Sequence, residues 1–162
     1  MTPSWDLFVI IFFVVIAALG VMLGRSKVLN VLVGSFVGYV VATELGTLAH
    51  NLITTYSKTA NISLFIVKAV LFFATILVLN SKTELVGKGG DDGLSIVTSI
   101  YGVLAGGFIA TALLSFLEAA EKTKILNNSS LLVQIDNLKI FWIIGPVVFM
   151  IFADMLRSRL TK

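Results

Sequence analysis

Residues 7–24 read LFVIIFFVVIAALGVMLG, without a charge, and after the break Arg25-Ser26-Lys27 residues 28–49 read VLNVLVGSFVGYVVATELGTLA. A helix crosses roughly 30 Å of hydrocarbon with about 20 apolar residues, and about 17–25 is the usual range. Both stretches meet that length. A turn as short as 25–27 makes the two helices antiparallel neighbours. Three more apolar stretches follow: 62–79, interrupted by Lys68; 94–117, uncharged; and 138–156, which starts at Lys139, holds Pro146 midway and carries Asp154 near its end. The pattern predicts an all-α, polytopic helical membrane protein with five transmembrane helices, or four if the last segment does not cross.

Composition agrees. Hydrophobic residues make up 57% of the 162 and charged residues 13%, with a mean hydropathy of +1.01. An ordinary soluble domain carries about 25% charge, so residues 1–162 read as a single transmembrane domain. There is no cysteine, which excludes disulfides, thiolate metal sites and cysteine nucleophiles. The basic residues behind the net charge of +3 stand singly or in pairs at the ends of apolar runs. That is the placement of topology charges, not of a nucleic-acid stripe. Asp6 stands where a secretory signal has Lys or Arg, the apolar run is too long, and no small-x-small cleavage site precedes Arg25. The opening segment therefore reads as a retained first span.

The connections differ in character. Residues 51–61 are polar and short. Residues 80–93 contain GKGGDDG, suited to a turn and not to a regular element. Residues 118–137 form the longest link. Its Ile125, Leu126, Leu131, Leu132 and Ile135 recur at near-helical spacing around Asn127-Asn128-Ser129-Ser130, predicting a short helix in the headgroup region. With the N-terminus outside, the cytoplasmic side collects Arg25, Lys27, Lys82, Lys88, Arg157, Arg159 and Lys162, against Lys58, Lys122, Lys124 and Lys139 on the other. The positive-inside rule then predicts an outside N-terminus and a cytoplasmic C-terminus.

Small residues form stripes. Gly34, Gly38, Ala42 and Gly46 repeat every four residues in the second span, with Ser35 and Thr43 beside them. Gly102, Gly106 and Ala110 do the same in the fourth, and the first holds Gly20 and Gly24. Close backbone approach is a main source of helix association in lipid, so these faces predict tight contact. The stripe serves packing within one subunit, a seam between copies or a pore-facing groove. Two charges lie inside spans, Glu44 and Lys68, at similar depth about the 51–61 link. An uncompensated charge at mid-membrane costs roughly 2.5–3.5 kcal/mol, which predicts a shared polar site. Independent snorkelling and a conducting role remain the alternatives.

Chemistry finds little footing. His50 is the one histidine, with no Asp or Glu at ligand spacing, and reads as an interfacial contact; no metal site, cofactor or catalytic constellation is predicted. Asp154 and Arg157 share a helical face and predict an edge pair. Gly145-Pro146 predicts a kink in the last helix. Trp5, Tyr56, Tyr101 and Trp142 read as interface anchors.

The first four spans resemble the colicin V production protein family. The residues that carry the likeness are Asp6 before an apolar helix, Gly20, the basic turn Gly24-Arg25-Ser26-Lys27 and Val41-Ala42-Thr43. A third apolar helix and Gly102/Gly106 in the fourth follow in the family's order. The resemblance covers 6–117. The family's fourth helix has an Asp-Arg entry and an Arg in its glycine motif where this chain has Leu94-Ser95 and Ala105, so the roles of those charges do not transfer. It implies a bacterial inner-membrane protein tied to secretion or envelope integrity, with no chemical reaction. The leading expectation is a non-enzymatic protein of that membrane. It acts as a homo-oligomer or as a subunit of an envelope secretion or assembly complex, and its partners are the lipid bilayer and other membrane proteins. A small channel or carrier past Glu44 and Lys68 is the second reading. A structural subunit that polymerises through its glycine faces is the third.

Overall fold

The structure, a computed structural model, describes residues 5–56, 62–82 and 95–160, with the side chains of 82, 95–96 and 153–160 outside the description. Every regular element among them is an α-helix: α1 (Trp5–Tyr56), α2 (Leu64–Lys82), α3 (Ser95–Phe116), α4 (Ala119–Leu126), α5 (Ser130–Asn137) and α6 (Lys139–Leu160). By length and composition α1, α2 and α3 can each cross a membrane. A fourth crossing results if α5 and α6, bent by 62° from one another, form one broken span.

The first two apolar stretches lie in one helical element, and α1 is not straight. Its 52 residues would extend about 78 Å as one rod, far beyond a bilayer. Gly24 breaks it with φ 78° and ψ 162°, a conformation almost confined to glycine because a Cβ would clash. The contacts then reverse direction. Along the first arm, residues 5–23, Val9 clusters with Leu114, Ile16 lies on Gly106, and Gly20 meets Thr98 and Gly102. This arm runs antiparallel to α3. Along the second arm, residues 25–56, Arg25 stands over the Tyr101 ring, Phe36 lies 4.2 Å from Phe108, and Ala42 clusters with Ala112 and Phe116. This arm runs parallel to α3.

The other helices complete an alternating bundle. Gly38 faces Phe72 and Gly46 faces Lys68, so α2 descends beside the second arm. Trp142 lies on Gly107 and Phe149 packs 4.8 Å from Tyr101, so α6 runs antiparallel to α3. Enclosed by both arms, α2 and α6, α3 is the centre of the molecule, with Tyr101, Phe108 and Ala112 almost wholly buried. Two short helices, not one, fill 118–137. α4 buries no side chain, whereas α5 buries Leu132 and Ile135 against Val9 and Leu114. The sharp bend falls at Leu138, between α5 and α6, while Pro146 is carried buried within α6.

The 51–61 link is shorter than its polarity suggests, since helix continues to Tyr56. Thr54 and Thr55 donate to the carbonyls of His50 and Asn51, so their hydroxyls are satisfied without leaving the helix.

Replacing Gly24 with Ala should destabilise the fold by about 1–3 kcal/mol, because the turn then holds an L side chain in a glycine conformation. Thermal unfolding in detergent measures it. A Gly24→Ala protein as stable as the parent would place the chain reversal elsewhere.

Candidate functional site

The small-residue stripes find their partners inside the chain. A Cβ on Gly38 would stand 2.9 Å from the Phe72 carbonyl oxygen, one on Gly34 3.6 Å from the Ile76 Cα, and one on Gly46 would overlap the Lys68 stem. Ala42, between them, is fully buried. On α3, a Cβ on Gly102 would lie 3.1 Å from the Ile16 carbonyl oxygen and 3.4 Å from the Gly20 Cα. One on Gly106 would meet the Ile16 side chain at 3.1 Å. Ala110 packs, half-buried, beside Leu114. Gly24 differs in role, since it makes the turn. Gly107 leaves room for the Trp142 ring, a contact that the stripe did not announce.

Ser35, Thr43, Thr75 and Thr111 stand on or beside these seams and each donates to the carbonyl four residues back, at 2.6–2.8 Å. In hydrocarbon a hydroxyl must find an acceptor, and here it does so within its own helix.

Glu44 and Lys68 do not form the expected site. No ion pair joins them; Glu44 is exposed, and the half-buried Lys68 lays its stem on Gly46. Depth is matched and azimuth is not. At 3.6 residues per turn, position 44 is turned roughly 200° from position 46, and Gly46 is the one that faces α2. Ala42 and Phe72 cluster with Phe116, where α3 ends. Glu44 and Lys68 follow at that end of the bundle, within snorkelling reach of a headgroup layer.

Polar ties between elements gather at the bundle ends. At one, Asp6 in the first turn of α1 meets the start of α5. Its Oδ1 accepts from the Ser129 hydroxyl at 2.5 Å and from the Leu131 N–H at 3.3 Å, and its Oδ2 accepts from the Ser130 hydroxyl at 3.4 Å. Ser129, buried, caps α5 by accepting from the Leu132 N–H at 3.1 Å. A carboxylate also suits the positive end of a helix dipole. Beneath lie Val9, Leu114, Leu132 and Ile135, with Phe13 and Trp142 beside them. Lys122 and Asp136 bridge α4 and α5 at 2.6 Å. His50 Nε2 donates to the Ile62 carbonyl at 2.9 Å, tying α1 to the start of α2.

At the other end the Arg25 guanidinium stands 5.9 Å from the Tyr101 ring centre, within cation–π range. Tyr101 is wholly buried, so it is not an interface anchor. Its side of α3 faces Arg25 and Phe149 inside the bundle. Trp142 likewise is wedged between Phe13 and Gly107, while Trp5 and Tyr56 are exposed. The Asp154 and Arg157 side chains and the GKGGDDG segment lie outside the described residues. Between α3 and α6 an apolar groove of about 390 Å³ is lined by Ser99, Ile100, Val103, Leu104, Phe141 and Trp142. Among the described residues no group of three or more His, Asp or Glu side chains is placed to hold a metal ion.

The Ser129 cap was not read from the sequence, although a serine just before an apolar run is the signal that could have found it. Its bond to Asp6 leaves no such signal, because the two are 123 residues apart. Comparison with protein-family models, curated proteins and solved structures finds no match for the chain.

Gly34→Ala should be tolerated, since its Cβ meets only ordinary contact, whereas Gly38→Ala should cost about 1–3 kcal/mol by pressing on the Phe72 backbone. Unfolding midpoints of the two variants in detergent decide this, and the reverse order would mean that α1 and α2 meet on another face. For the charges, Glu44→Gln and Lys68→Met should combine additively in a double-mutant cycle. A measurable coupling energy would restore the pair.

Proposed function

We propose that this chain is a non-enzymatic bacterial inner-membrane protein with five crossings, an outside N-terminus and a cytoplasmic C-terminus. It works as the membrane-embedded subunit of an envelope secretion or assembly complex, in the manner of the colicin V production family that it resembles over 6–117. The observation that carries this reading is where the close-packing faces are spent. Gly20, Gly34, Gly38, Gly46, Gly102 and Gly106 are taken up by contacts within one chain, and aromatic rings fill the space between the helices, with Phe108 against Phe36 and Tyr39, and Phe116 against Tyr39 and Phe72. Such a body favours a scaffold over a pore or a polymer. A polymer needs free glycine faces, and a conducting path needs polar groups on one line, whereas Glu44 and Lys68 stand on different faces.

The surface left to act is apolar and outward. Val37, Val40 and Leu48 on α1, Val70 and Leu77 on α2, and Ile144 and Val147 on α6 are all exposed. In a bilayer this is the lipid belt, and a partner docks there. The reversal at Gly24 supports counting α1 as two crossings, and the antiparallel run of α6 against α3 supports a fifth. The orientation rests on the whole sequence count, Arg25, Lys27, Lys82, Lys88, Arg157, Arg159 and Lys162 against Lys58, Lys122, Lys124 and Lys139.

Two measurements test the proposal. A cysteine at position 127 should react with an impermeant maleimide from outside intact cells and one at position 162 should not; labelling at 162 would overturn the topology. Photo-crosslinkers at positions 40, 70 and 147 should capture another envelope protein or a second copy in cells. Capture of lipid alone, together with ion flux in liposomes that Glu44→Gln or Lys68→Met alters, would replace the subunit by a channel.

A further inference from the structure

We propose that α4 and α5 form a hinged strap over one end of the bundle, and that Asp6 is the latch holding its tip closed. This is independent of the role assigned to the whole chain. The strap leaves α3 through Glu118, which is extended at φ −66° and ψ 150°, and rejoins α6 through Leu138, at φ −91° and ψ 19°, where the axis bends by 62°. The hinges are one or two residues between helices, Leu117-Glu118 and Leu138, the usual site where backbone rotation is absorbed. Between them the Lys122–Asp136 bridge keeps α4 and α5 together as one unit. The far tip is the turn 127–129.

Less apolar contact holds the strap down than holds the core helices: Ile125, Leu126 and Leu131 pack only half-buried against the cluster of Leu132 and Ile135. α4 buries no side chain and α5 buries only Leu132 and Ile135, whereas α3 is buried along most of its length. Segments with few buried contacts open at the lowest free energy. The polar tie at the tip is Asp6, through the two serine hydroxyls and the Leu131 N–H. It comes from the start of the first arm, so the latch joins the strap to a helix other than the two from which it hangs. Trp142 lies in the cluster beneath Leu132 and Ile135 and also lines the α3–α6 groove. The closed strap therefore covers the end of that groove, and release of Asp6 uncovers it.

The cysteine-free chain allows a direct test in nanodiscs. Single cysteines are placed under the strap (Leu132→Cys, and separately Ile135→Cys), on its outer side (Val133→Cys) and in the core of α3 (Ala112→Cys), each with and without Asp6→Ala. Maleimide labelling at 132 and 135 should rise by at least about tenfold on loss of Asp6, with 133 unchanged and 112 still protected. Equal labelling at 132 and 135 with and without Asp6 would overturn the latch. So would faster labelling at 112, which would make Asp6 a support of the whole fold. Cysteines at 6 and 129 together, joined by oxidation, should return 132 to slow labelling; failure to do so would equally overturn it.

Discussion

Close backbone contact around α3 is the constraint on which the rest of the molecule depends. In lipid an apolar side chain gains little by exchanging acyl chains for a neighbouring helix, so association rests on how closely helices approach. Gly20, Gly102 and Gly106 let the first arm of α1 lie against α3 almost backbone to backbone, and Gly107 opens a seat for Trp142 of α6. On the remaining side Phe36 and Tyr39 of the second arm meet Phe108. A side chain added at Gly20 or Gly102 meets a carbonyl oxygen and a backbone Cα, one at Gly106 the Ile16 side chain, and one at Gly107 the Trp142 ring. The turn at Gly24 belongs to the same constraint, since it brings both arms of α1 onto α3.

The named polar groups divide by depth in a way that follows from the solvent. Along the seams, hydroxyls bond back within their own helices and leave the contact surfaces apolar. At the ends, where water or headgroups can share the work, polar groups cross between elements: Arg25 to Tyr101, His50 to Ile62, Asp6 to Ser129. The middle is held by shape and the ends by charge and hydrogen bonds. A bundle built in this way is stiff along its seams and adjustable at its ends, which is where the strap of α4 and α5 hangs.

The same division explains which faces are left for function. With small residues consumed internally, the outward surface of α1, α2 and α6 carries branched and aromatic side chains suited to lipid or to a partner within the bilayer. Glu44 adds one charge to that surface near its edge. Its exposure follows from a half-turn of helix, since the residue that faces α2 is Gly46.

Particular elements show what was legible in the chain. The helical class, the extent of the apolar segments and the tight faces at Gly34, Gly38, Ala42 and Gly46 were readable. Each rests on composition, length or a period of a few residues, which are local properties of a helix in hydrocarbon. The reversal, by contrast, falls at Gly24 with 25–27 already helical, and 118–137 breaks into two helices where one was expected. Counting residues along an axis places Tyr101 and Lys68 along their helices, but not the side on which each faces a neighbour. What tertiary structure alone decided was azimuth and partnership: that Tyr101 is enclosed, that Glu44 turns from Lys68, that Trp142 fills the space over Gly107, and that Asp6 meets Ser129. Those outcomes depend on the rotation of each helix about its axis and on which helix it faces. Both are set by packing against α3 across many intervening residues, and no local pattern records them.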